Sequence, residues 1–173
     1  GDGFQGGDLR VEAERILLDE IAEQEGQGNV DIQLGEGLLE LADFHRNQNE
    51  YERAAMLYEH ALAVYEKRPK SEAGGLASLC LYKLADLYVQ WGMLDKAETL
   101  YLRGLDIEQE ILGEKHLVFP QSLSGLGNLY RDQGRLEEII PLAHRALGIL
   151  EMRSGAEHRV VADSLSFIAE YDM

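Results

Sequence analysis

The chain has 173 residues, 45% of them apolar, with 32 acidic against 16 basic side chains and a formal charge of −16. That is enough apolar matter for one core or a short array of repeated units. An acidic chain repels the phosphate backbone, so nucleic-acid binding is disfavoured and a neutral-to-basic protein partner is the simpler expectation.

The charge is uneven. Residues 1–50 hold 13 acids and 3 bases, while the remaining 123 residues account for a net of only −6. Part of such charge serves solubility alone. The single cysteine, Cys80, excludes an internal disulfide and fits a reducing, cytoplasmic setting. The apolar runs are far shorter than a membrane span, and the polar start, residues 1–7, reads as a flexible lead rather than a signal peptide.

One pattern organises the rest. Leu41-Ala42-Asp43-Phe44 returns as Leu84-Ala85-Asp86-Leu87, Leu126-Gly127-Asn128-Leu129 and Ile168-Ala169-Glu170-Tyr171, at spacings of 43, 42 and 42 residues. Self-similarity at this length predicts stacked copies of one helical hairpin. Residues 8–173 are therefore read as a single repeat domain. Residues 8–25 form a lone second helix, 34–70 the first repeat, 76–112 the second, 118–154 the third, and 157–171 a terminal first helix, for about eight helices in all.

In chain order, the first repeat sets Leu38, Leu41, Ala42 and His45 before Asn49, then Tyr51, Ala54, Tyr58, Ala61 and Leu62. The second predicts a first helix, helix A, near Leu76 to Gln90, broken by Gly92. Its helix B starts near Asp95 as N-cap, with Ala97, Leu100, Tyr101, Gly104, Leu105 and Ile107 on one face. The third runs through Leu123, Leu126, Gly127 and Tyr130, then Gly134, Leu136, Leu142, Ala146, Leu147 and Ile149. Asn49 stands where the other repeats place Gly92 and Gly134, a position for a left-handed residue. Small residues allow the helices of a hairpin to approach: Ala42 against Ala54, Ala85 against Ala97, and Gly127 making room for Ile139. Ala61, Gly104 and Ala146 mark the corresponding small sites between successive repeats.

The run Leu84-Ala85-Asp86-Leu87-Tyr88-Val89-Gln90-Trp91-Gly92-Met93-Leu94-Asp95-Lys96-Ala97-Glu98, continued by Leu100-Tyr101-Leu102-Arg103-Gly104-Leu105-Asp106-Ile107-Glu108, resembles the tetratricopeptide repeat in its 42-residue, kinesin-light-chain-like form. Leu112-Gly113 and His116 look like the linker of that subclass, with Leu117 in place of its proline, and the resemblance covers about residues 9 to 171. His45 and Asp172 depart from the usual tyrosine, and Ala143 from the usual aromatic. The resemblance implies an all-α, right-handed superhelical solenoid of antiparallel hairpins, with helix A side chains lining a concave groove that holds a partner's peptide or helix.

On that register the candidate groove residues are Leu39, Asp43, Arg46 and Asn47 from the first repeat. Leu79, Tyr82, Lys83, Asp86 and Gln90 follow from the second, and Gln121, Ser124, Asn128, Arg131 and Asp132 from the third. Glu36, Glu40, Asp163, Ser166, Phe167 and Glu170 share the face, giving seven acids against three bases. Tyr82 is the best single anchor. A family subclass that grips a peptide's terminal carboxylate needs converging lysine and asparagine; Asp43 and Asp86 would repel such a group, so that mode is rejected. Asn128 alone carries over the backbone-binding asparagine of kinesin-light-chain-like repeats.

Other constellations read as structural. His116 and His158 hold equivalent linker positions, but nothing beside them completes a zinc site. No metal or cofactor is expected. Cys80 has no base nearby in sequence and reads as a packed thiol. Trp91 reads as packing over its own turn. No phosphate-binding loop or nucleophile–base pairing stands out, so the chain is read as non-catalytic: a scaffold or adaptor module. Alternatives are self-association through the incomplete ends, Ile16-Leu17 and Phe167-Ile168, or a sensor segment of a larger signalling protein.

Overall fold

A computed structural model describes residues 32–112 and 121–142 continuously, with residues 15, 16, 19, 22, 23 and 144 as isolated positions. Within them are five complete helices: α1 (Ile32–Asn47), α2 (Tyr51–Glu66), α3 (Lys70–Trp91), α4 (Leu94–Leu112) and α5 (Gln121–Asp132). Residues 136–142 are helical as well, and no strand occurs among the described residues. The chain divides into two compact units, Gly1–Ala73 and Gly74–Met173. The lone helix of 8–25, the linker histidines, the far part of the third repeat and the terminal helix of 157–171 lie outside the continuously described residues.

The turns after α1, α3 and α5 are one motif used three times. Asn49, Gly92 and Gly134 have φ of 61°, 82° and 71°. The residue after each donates its N–H back five residues: Glu50 to His45 O (3.0 Å), Met93 to Tyr88 O (2.8 Å) and Arg135 to Tyr130 O (2.8 Å). The left-handed residue itself bonds the carbonyl three before it, Arg46, Val89 or Arg131. This is the Schellman closure, which satisfies the last carbonyls of the helix and reverses the chain at once.

Two boundaries differ from the sequence reading. α3 starts at Lys70 rather than near Leu76. The Pro69 carbonyl accepts from Glu72 and Ala73 N–H groups, and Glu72 in the first turn suits the positive end of the helix dipole. That start carries the helix through Gly74 and Gly75, which propensity alone disfavours. Asp95 lies inside the first turn of α4 and is not its cap. Met93 holds that position, its carbonyl accepting from Ala97 N–H (3.1 Å).

The first unit buries Leu34, Leu38, Leu39 and Ala42 of α1 with Ala54, Tyr58, Ala61, Leu62 and Tyr65 of α2. Gly35 belongs to the same stripe: a methyl group there would run into the Tyr65 ring. The second unit buries Leu81, Leu84, Ala85 and Leu87 of α3, Ala97, Tyr101 and Leu105 of α4, and Leu123, Leu126 and Leu129 of α5. The paired alanines 42, 54, 85 and 97 are fully buried, as close hairpin packing requires. Gly127 does not follow that logic. A methyl at Gly127 would meet nothing within 4 Å, so it is not making room for Ile139. The tight glycines of this unit are Gly104, pressed on Ser122 and Leu81, and Gly125, pressed on the Tyr101 ring.

Candidate peptide-binding faces

Helix A residues on the open side divide by how the core uses them. In the first unit Leu39 is 7% exposed. It continues the buried stripe of Gly35, Leu38 and Ala42, so it is packed inside and not offered to a ligand. Asp43 and Arg46 are half-buried and Asn47 is exposed. Asp43 accepts a hydrogen bond from Tyr58 Oη, and Arg46 Nη2 sits 3.8 Å from its Oδ1.

In the second unit Leu79, Tyr82, Lys83 and Asp86 of α3 are half-buried and Gln90 is exposed. From α5, Gln121 is half-buried, and Ser124, Asn128, Arg131 and Asp132 are exposed. Tyr101 of α4 ties this face together. Its hydroxyl donates to Asp86 Oδ1 (2.5 Å), its ring lies against Gly125 of α5, and the Tyr82 ring is 6.0 Å away at a 45° tilt. Burial, then the bond to Asp86, pushes the Tyr101 hydroxyl well above the usual phenol range, so it stays a donor. Asp86 is thereby aimed by a buried side chain, and Tyr82 shares its face one helical turn earlier.

The lower end of this unit carries a second polar cluster. Arg135 donates to Glu98 Oε2 (2.6 Å) and to Glu138 Oε1 (2.6 Å), and lies 4.3 Å from the centre of the Tyr130 ring. Tyr130 donates to Glu98 Oε1 (2.8 Å). The guanidinium holds both carboxyls below their ordinary range, while burial and then Glu98 push the Tyr130 hydroxyl up to about 12. This cluster fastens α4 to the turn that leaves α5. At the equivalent turn of the second repeat, Trp91 stacks on Tyr88 (6.0 Å, 7°), packing over its own turn.

Sequence reasoning missed Glu108. It is 3% exposed, and its Oε1 accepts from Ser78 Oγ (2.6 Å), Ser122 Oγ (3.0 Å) and Ser122 N (3.4 Å). Its Oε2 is buried without a partner. Burial raises the carboxyl pKa against the lowering by these three bonds. The signal was readable: Glu108 continues the apolar stripe of Ala97, Tyr101, Gly104 and Leu105, where an acid is out of place. Cys80 is fully buried. His116 and His158, Leu17, Phe167 and Ile168, and with them the self-association ends, lie outside the described residues. No helix among the described residues is long and apolar enough to cross a membrane.

Comparison with known proteins gives the family. Two tetratricopeptide-repeat family models match, over residues 33–110 and 121–159, and together they span well over half of the chain. No curated protein sequence matches. Among solved structures, the chain is similar to BtubC (BKLC) from P. vanneervenii, with a TM-score of 0.62, 18% identity, and coverage of 96% of this chain and 66% of that one. It is similar, too, to a kinesin light chain candidate from Podosopora anserina with nearly identical TPR-like repeats (TM-score 0.62, 20% identity, 97% and 80% coverage). A singly substituted form of the latter gives 0.62, 20%, 97% and 79%. At these identities the likeness speaks to the fold, which is all-α and built of repeated hairpins. Repeats of this kind are generally non-catalytic and bind proteins or peptides. With its period, its three identical turns and both family matches in agreement, the chain belongs to the tetratricopeptide-repeat family, in the kinesin-light-chain-like form of the fold.

Proposed function

We propose that this chain is a scaffold or adaptor module that holds a peptide or helix of another protein against its helix A faces. The observation that carries this reading is the face of the second unit. Tyr82, Lys83, Asp86 and Gln90 of α3 and Gln121, Ser124, Asn128, Arg131 and Asp132 of α5 stay partly or fully open to solvent, over a buried tyrosine that orients the central aspartate. A face that mixes a half-exposed aromatic with oriented polar groups suits an extended or helical peptide with an apolar anchor. In the first unit Asp43, Arg46 and Asn47 hold the corresponding positions.

The chain's charge of −16 favours a neutral-to-basic ligand. The test is a pull-down with the chain as bait, followed by titration of the recovered partner against the wild type and Tyr82→Ala. The aromatic anchor should contribute at least about tenfold in affinity, with the helical content unchanged. Equal affinity for the two proteins would overturn the assignment of this face.

A further inference from the structure

Two aspartates at equivalent repeat positions, Asp43 and Asp86, are each held by a tyrosine from the following helix, Tyr58 and Tyr101. What stands one turn further along the helix differs. In the first unit it is Arg46, whose Nη2 lies 3.8 Å from Asp43 Oδ1, so the chain supplies its own guanidinium there. In the second unit the same position is Val89, 36% exposed. Among the described residues Asp86 forms no ion pair. Lys83, one turn before it, makes none with it, and Arg131 pairs with Asp132 at 3.5 Å.

Each is a half-buried carboxylate with one oxygen engaged by a buried phenol, and among the described residues the Tyr101 hydroxyl is the one hydrogen-bond donor to Asp86. Asp86 has in addition Tyr82 on its own face, with a ring suited to stacking against a planar cation. A carboxylate oxygen beside an aromatic ring matches a guanidinium better than an ammonium, because the planar fork can bond the one and stack on the other.

We propose that Asp86, Tyr82 and the space left at Val89 form a subsite for one arginine side chain of a partner peptide, in the place that Arg46 fills beside Asp43. This rests on the reading of the helix A face as a peptide site and names the chemistry that it selects.

The experiment is a titration of isotope-labelled full chain with N-acetyl-arginine amide, followed by nuclear magnetic resonance, with N-acetyl-lysine amide in parallel. Saturable shifts should centre on Tyr82, Asp86 and Val89, and the lysine probe should bind more weakly. Asp86→Asn keeps an acceptor for Tyr101, and Val89→Arg supplies an internal cation at an exposed position. Each should weaken the arginine probe by at least about tenfold. Shifts spread over all acidic residues without saturation, or binding unaffected by Val89→Arg, would overturn the subsite. If the probe fails while Tyr82→Ala still releases the recovered partner, only the arginine subsite falls. If the probe binds and Tyr82→Ala leaves the partner bound, the peptide reading falls and the cation site stands.

Discussion

The first hairpin and the unit that follows it share one register and fill it differently. Gly35 faces Tyr65 in the first; the positions 43 residues later are Ser78 and Glu108, joined by a hydrogen bond. His45 faces Glu50 across its turn, with Nδ1 2.5 Å from Oε2. The equivalent residues are Tyr88 and Met93, then Tyr130 and Arg135. The turn geometry survives all three sets because backbone atoms and a left-handed residue make it. Side chains are free to vary wherever the backbone already closes the structure. They are constrained where two helices touch through a glycine, since there the missing methyl is itself the contact.

The largest effect expected from breaking this comparison is at those touching points. Gly125→Ala drives a methyl into the buried Tyr101 ring and should cost about 2–3 kcal/mol, read as a lower denaturation midpoint. Gly35→Ala, against Tyr65, should behave alike in the first unit. Should both variants prove neutral, the close approach is not a constraint. The turns come next. Gly92→Ala and Gly134→Ala force a β-carbon into the left-handed region and should each lose about 1 kcal/mol, whereas Asn49→Gly should gain a few tenths. Hydrogen exchange at the turn amides reads this directly.

Glu108 sharpens the contrast through pH. Its folded pKa is raised by burial, so the folded state holds its proton more tightly than the unfolded chain. Its contribution to stability is fully present below the ordinary carboxylate range and is lost as pH rises through the raised value. Glu108→Gln should flatten that fall in stability, seen by comparing denaturation midpoints across pH. An unchanged slope would show that Glu108 titrates as it does unfolded. The smallest effect is at Gly127, where open space surrounds the missing methyl. Gly127→Ala should stabilise by about 0.5–1 kcal/mol through helix propensity alone. A loss there would restore the expected compensation with Ile139.

Much of the fold was legible because a repeat states its register several times. Leu84, Ala85, Tyr88, Gly92 and Ala97 identify a hairpin on their own, and their counterparts confirm the frame. The tyrosines 58, 88, 101 and 130 follow the repeat's apolar periodicity and are buried. The helix A face was less legible. Leu39 and Tyr82 occupy equivalent positions, yet one is buried and the other half-exposed. Asp43 and Asp86 read as ligand groups, and both turn out to be engaged by tyrosines from helix B. Periodicity assigns a residue to a face, but how deep that face lies depends on neighbours that no local pattern names.

The sequence by itself determined the period, the helical hairpin, the left-handed turn residues and the family, because these follow from spacing and backbone preference within one repeat. Only the tertiary structure decided which glycines are contacts, which acid is buried and which tyrosines engage the helix A aspartates. Those properties arise where side chains distant in sequence compete for the same space and the same hydrogen bonds.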